Sequence, residues 1–136
     1  MKHKLWYLVL VLILLFSCQN ERNLDGNYGI CYNGEYAEAY FKKDSMRFAS
    51  NSEWVKLSEW RKIEIKSDTL HFETFGEWRD SATAKVKFIG SHQIELKILE
   101  TDINLNLKSF DEKPYFEEPK KFWIGFHTRM NTKKCE

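Results

Sequence analysis

The chain has 136 residues, is 43% hydrophobic and 15% aromatic, and carries 21 basic against 20 acidic side chains. That length leaves room for one domain. The near balance of charge excludes the basic footprint of a nucleic-acid binder, and the apolar and aromatic content excludes a disordered chain.

The N-terminus opens with Met1, Lys2, His3 and Lys4, followed by an unbroken apolar run from Leu5 to Phe16 and then Ser17 and Cys18. A membrane-spanning helix needs roughly 20 apolar residues. This shorter run behind a basic start fits the apolar region of a secretory signal. Leu15, Phe16, Ser17 and Cys18 resemble the lipobox of bacterial lipoproteins, which implies cleavage before Cys18 and lipid on its thiol. The expected organisation is a signal peptide over 1–17, a lipidated polar tether over 18–23, and a single domain over 24–136. Gln19, which is not aspartate, points the anchor to the outer membrane. More than one acyl chain, palmitate for instance, makes such an anchor stable.

With Cys18 assigned to lipid, Cys31 and Cys135 remain. In an oxidising compartment they either pair, tying the two ends of the domain together, or stay as separate thiols.

From Leu24 onward apolar and polar residues alternate: Ile63 and Ile65, Val86 and Phe88, Ile94 with Leu96 and Ile98, Ile103 with Leu105 and Leu107. A period of two with charge on one face predicts half-buried antiparallel strands. Three segments, Phe41 to Phe48, Ile65 to Phe72 and Phe88 to Ile94, each read as strand, short polar turn, strand. These are hairpin signals, and hairpins in series make a meander. The stretch 50–61 reads as a short helix or loop. Pro114 and Pro119, in a segment rich in charge, make 111–121 a surface loop. Phe122, Ile124, Phe126 and Met130 then fit a last strand returning to the first.

The lipobox, the tether, the opening Leu24-Asp25-Gly26-Asn27-Tyr28 and the repeated hairpins together resemble the lipocalin-like lipoproteins of Bacteroidetes-type bacteria. The Gly26 to Tyr28 spacing is similar to the Gly-x-Trp that opens the first lipocalin strand. The resemblance implies an all-β fold, an antiparallel up-and-down meander forming a small barrel or half-barrel with few exposed edges.

No phosphate loop, nucleophile elbow or His-Glu-x-x-His helix is present, so no catalytic residue, cofactor or metal is assigned. His71, His92 and His127 are single residues on different predicted elements, and Glu73 and Glu77 read as a charged turn. The aromatic load offers two readings. Trp54, Trp60, Trp78 and Tyr40 line a pocket for a small hydrophobic or sugar-like ligand, or the rings simply fill the interior. A membrane-anchored binding module is expected from the first reading. A structural, inhibitory or protein-binding module with a filled barrel is expected from the second.

Overall fold

The computed structural model describes residues 23–53, 56–75 and 80–136; the expected signal peptide, Cys18 and all but the last residue of the expected tether lie outside them. Among the described residues there are nine strands and one helix: β1 (Gly26–Tyr32), β2 (Glu35–Lys42), β3 (Ser45–Ser50), β4 (Arg61–Lys62), β5 (Glu64–Lys66), β6 (Thr69–Glu73), β7 (Ser81–Ile89), β8 (Gln93–Ile98), β9 (Ile103–Phe110) and α1 (Pro119–Lys133). The strands form one antiparallel sheet in the order β4-β3-β2-β1-β9-β8-β7-β6-β5. Every neighbour but one is a sequence neighbour; the exception is β1 beside β9, with Ile30 opposite Leu107. The two ends of the sheet, β4 and β5, are separated in the chain by Ile63 alone. One continuous segment therefore pairs first with β3 and then with β6, and the meander curls into a nearly closed barrel.

The hairpins arise where the turn chemistry permits them. The β1–β2 turn is Asn33-Gly34, both with positive φ (50° and 78°), the conformation that suits the twist of a tight hairpin. The three hairpins expected from sequence are those of β2–β3, β5–β6 and β7–β8. The stretch 51–60 is not helical where described, and joins the sheet through a bridge between Ala49 and Leu57.

The C-terminal segment corrects the sequence reading. It is a helix, not a last strand, and Pro119 stands in its first turn, where a missing N–H costs nothing. Phe122, Ile124 and Phe126 share a strand period, but burial separates them. Phe122, Phe126 and Arg129 recur at helical spacing on a buried face, whereas Ile124 is 59% exposed. Only the segment 111–118 is the expected loop.

The helix lies along the outer wall at β2. This strand is buried on both faces: Ala37, Ala39 and Phe41 point into the barrel, and Tyr36, Glu38 and Tyr40 point at the helix. Two cores result. The inner one holds Leu24, Tyr28, Ile30, Phe41, Met46, Leu70, Val86, Ile94, Leu96 and Leu107. The outer one holds Tyr36, Tyr40, Ala49, Phe122 and Phe126. A disulfide joins Cys31 at the end of β1 to Cys135 beyond the helix, with Cα atoms 5.3 Å apart, and fixes the helix's C-terminal end to the barrel.

Candidate functional site: the barrel cavity

Period-two alternation puts Tyr28, Ile30 and Tyr32 of β1 on the inner face together with Ala37, Ala39 and Phe41 of β2, because directly paired residues share a face. One end of the barrel is filled. Tyr28 packs edge-on against Phe41 with ring centroids 5.7 Å apart, and Leu24, Met46, Val86 and Ile94 close around them. The other end is not filled. Alanine occupies an inward position on each of two strands at this end, Ala37 on β2 and Ala82 on β7. A cavity of about 1120 Å³ opens there. Its depth is apolar, lined by Ile30, Ala37, Phe48, Phe72, Phe75, Ala82, Ile98, Ile103 and Leu105. Its mouth is mixed: Ser50, Asn51, Ser52, Thr74, Thr101 and Asn131, one carboxylate, Glu35, and one ammonium, Lys134, stand beside Tyr32, Tyr36, Met130 and Cys135.

The wall is braced on one side by a stack. Phe48 and Phe75 lie face to face at 5.6 Å, tilted by 17°, and the Arg61 guanidinium covers Phe75 at 4.6 Å. Arg61 Nη1 also donates to the Thr74 carbonyl, so one side chain spans the seam between β4 and β6, where no ladder runs.

The residues chosen from sequence as a pocket are distributed differently. Tyr40 is 1% exposed, but it faces the helix and not the cavity, packing against Phe116 and Phe122. Trp60 is 39% exposed on the outer wall beside Phe116 and Arg47. Trp54 and Trp78, like Glu77, lie outside the described residues. Cys31 and Cys135 are bonded, and Cys135 borders the mouth. His71, His92 and His127 stand on β6, the β7–β8 turn and the helix, and Glu73 ends β6. The lining phenylalanines and alanines were missed because a strand period tells which residues share a face, not which of two buried faces encloses space.

Sequence reading also missed a buried ion pair between barrel and helix. Glu38 has no exposed surface and Arg129 is 7% exposed. Arg129 Nε donates to Glu38 Oε1 at 2.6 Å and Nη2 to Oε2 at 3.0 Å, a two-pronged pairing. The Tyr36 hydroxyl donates to Oε1 at 2.7 Å, and the Tyr40 hydroxyl donates to Oε2. All four accepting directions of the carboxylate are thus engaged. Space for the cluster comes from missing side chains: a Cβ on Gly29 would stand 3.0 Å from the Tyr36 hydroxyl, and one on Gly125 would stand 3.1 Å from Arg129 Nη1. A carboxylate so enclosed offers no lone pair to a substrate, and its role is to fix the helix on the barrel.

Burial, and the Glu38 carboxylate beside them, keep the Tyr36 and Tyr40 hydroxyls protonated far above the usual tyrosine range. In the unfolded chain both ionise near pH 10. Their contribution is therefore fully present below about pH 10 and is lost as pH rises further, by about 1.4 kcal/mol per pH unit for each tyrosine. Urea unfolding midpoints measured from pH 8 to 11 are expected to fall above pH 10, with a shallower fall in Tyr40→Phe. A flat profile would show that these hydroxyls ionise as readily in the folded chain.

Fold and cavity define a class: a small up-and-down antiparallel barrel, filled at one end and hollow at the other, with a helix fixed to its outer wall. Compared with profiles of known protein families, with curated proteins and with solved structures, the chain matches none.

Proposed function

We propose that this chain is an exported lipoprotein, anchored to the outer membrane by lipid on Cys18, whose barrel binds a small apolar ligand without catalysis. The single observation that carries the binding reading is the cavity of about 1120 Å³, apolar in its depth and open at one end. That is slightly above the roughly 300–1,000 Å³ of small-molecule sites. A lipid-like or other hydrophobic body suits such a lining better than a sugar ring, because most of the lining side chains are apolar. The same cavity weighs against the alternative of a filled interaction module.

The anchor reading rests on the lipobox and gains a geometric consequence. Leu24, the first residue after the tether, is fully buried at the filled end of the barrel. A lipid on Cys18 would therefore attach opposite the mouth and leave the cavity open to water.

Two experiments test the two halves. The intact mass of membrane-extracted protein is expected to begin at Cys18 with acyl mass, lost in Cys18→Ala; retention of residues 1–17, or an unmodified Cys18, sinks the anchor. For the cavity, the exported chain in zwitterionic nanodiscs is titrated with a dansylated undecyl probe and read by energy transfer from tryptophan. Ala82→Phe places a ring in the hollow and is expected to weaken binding by about tenfold or more, which corresponds to about 1.4 kcal/mol. Equal affinity in the variant, with folding intact by circular dichroism, would place the probe elsewhere.

A further inference from the structure

The order of strands around the barrel sorts the walls of the hollow by shape. Phe48 on β3, Phe72 on β6 and Phe75 just beyond β6 lie on the two sides of the seam, so the hollow has an aromatic side. Ile30 on β1, Ile103 and Leu105 on β9, and Ile98 on β8 come from three consecutive strands of the sheet, and they make an aliphatic side. The strands between these two sides are β2 and β7, and each contributes an alanine, Ala37 and Ala82. Around the depth of the hollow, two bulky arcs therefore alternate with two short side chains. In a close-packed interior, space is left where side chains are short. The hollow reaches furthest toward the two alanines and is narrowest between rings and branched chains, which is the cross-section of a slot.

The aromatic side is itself a stack. The Arg61 guanidinium covers Phe75 at 4.6 Å, and Phe75 lies against Phe48 at 5.6 Å with a tilt of 17°, the near-parallel arrangement that ring quadrupoles favour when offset. Phe48 and Phe75 both border the hollow, and among the described residues no third ring extends this stack. A flat body entering the slot would meet rings on one broad face and branched aliphatic side chains on the other, with its edges toward Ala37 and Ala82. A flexible chain buries apolar area in the same space, but it gains no stacking and loses rotamer freedom when it is ordered.

We infer that the ligand is a flat, rigid, multi-ring apolar body and not a flexible acyl chain. Stacking on the phenylalanines adds a factor of about two to ten in affinity beyond burial of area. This inference rests on the binding reading above and specifies the shape of what is bound.

The test is a competition in the full exported chain held in zwitterionic nanodiscs, with empty nanodiscs subtracted. The dansylated undecyl probe is bound first, and its displacement is read as loss of polarisation of the directly excited dansyl group. One competitor is hydroxymethylfluorene, a flat three-ring alcohol; the other is a straight-chain alcohol whose length is chosen for equal partition into the same lipid. The flat alcohol is expected to compete about fivefold more effectively. Phe48→Leu keeps an apolar side chain but removes the ring, and is expected to reduce the preference to less than about twofold. Ala37→Leu fills one edge of the slot, and is expected to weaken the flat alcohol by about tenfold while the chain, which can bend around the new side chain, loses far less. Circular dichroism checks the fold of each variant, and either variant alone decides if the other does not fold. Equal or better competition by the straight chain overturns the inference, as does a preference unchanged in the folded variants. Failure of both alcohols to displace a bound probe also overturns it while leaving the binding reading in place. If the dansylated probe itself does not bind, the binding reading fails and this inference with it.

Discussion

Replacing Arg129 by alanine is expected to cost about 3–5 kcal/mol of folding stability, because it leaves the Glu38 charge buried without its partner. The reason is location, not proximity. Lys121 and Glu118 approach as closely as Arg129 and Glu38, 2.6 Å in both pairs, yet the former side chains are more than half exposed and the latter 8% and 0%. Water screens the exposed pair, which contributes about 0–1 kcal/mol. It cannot screen Glu38, whose two remaining donors, Tyr36 and Tyr40, are neutral. Lys121→Ala is the control and should move the urea midpoint little. A double replacement, Glu38→Leu with Arg129→Met, removes both charges and should recover much of the loss. If Arg129→Ala costs less than about 1 kcal/mol, the pair is wetter than its geometry implies. Loss of Arg129 should also loosen the helix, so backbone exchange in 119–133 should accelerate more than in β7 or β8.

Reduction of the Cys31–Cys135 bond is the second large effect expected. The bond closes a loop with a sequence separation of 104 residues, nearly the whole domain. Loop-closure entropy for such a span is about 4–5 kcal/mol, an upper figure because native strain and residual unfolded structure reduce it. Many domains of this size have only about 5–15 kcal/mol in total. The reduced chain should therefore unfold at a much lower urea concentration, or be unfolded without urea. Cys135 and Lys134 border the mouth, so Cys31→Ala is also expected to weaken probe binding even where the fold survives. Coincident unfolding curves for the oxidised and reduced chains would show that the bond adds nothing to helix packing and barrel closure.

Both effects arise at the junction of helix and barrel, the part of the molecule least legible from sequence. The meander was legible, while its curling into a barrel or half-barrel was implied by the resemblance alone. Alternation through Ile94, Leu96 and Ile98, or Ile103, Leu105 and Leu107, has one meaning when charge fills the intervening positions, and polar turns at 43–44 and 67–68 left little choice of connection. The Asn33-Gly34 turn was missed in the sequence, although Asn-Gly is a strong hairpin signal. The helix was harder, because Phe122, Ile124 and Phe126 satisfy periods of two and of four at once; only Pro119 at the start and burial at Phe122, Phe126 and Arg129 separate them.

Sequence by itself determined the local choices: the lipobox pattern, the strand periods, the turns, and two cysteines free to pair once Cys18 is set aside. These depend on near neighbours in the chain, and a periodic pattern encodes them. Tertiary structure alone decided which face of β2 meets the helix, that Glu38 meets Arg129 across 91 residues, and that alanines on β2 and β7 border one hollow. Tyr40 shows the difference: an aromatic on a strand is legible as buried, but the side on which it is buried is fixed by where the helix docks. A cavity is space left between distant strands, and no window of sequence contains it.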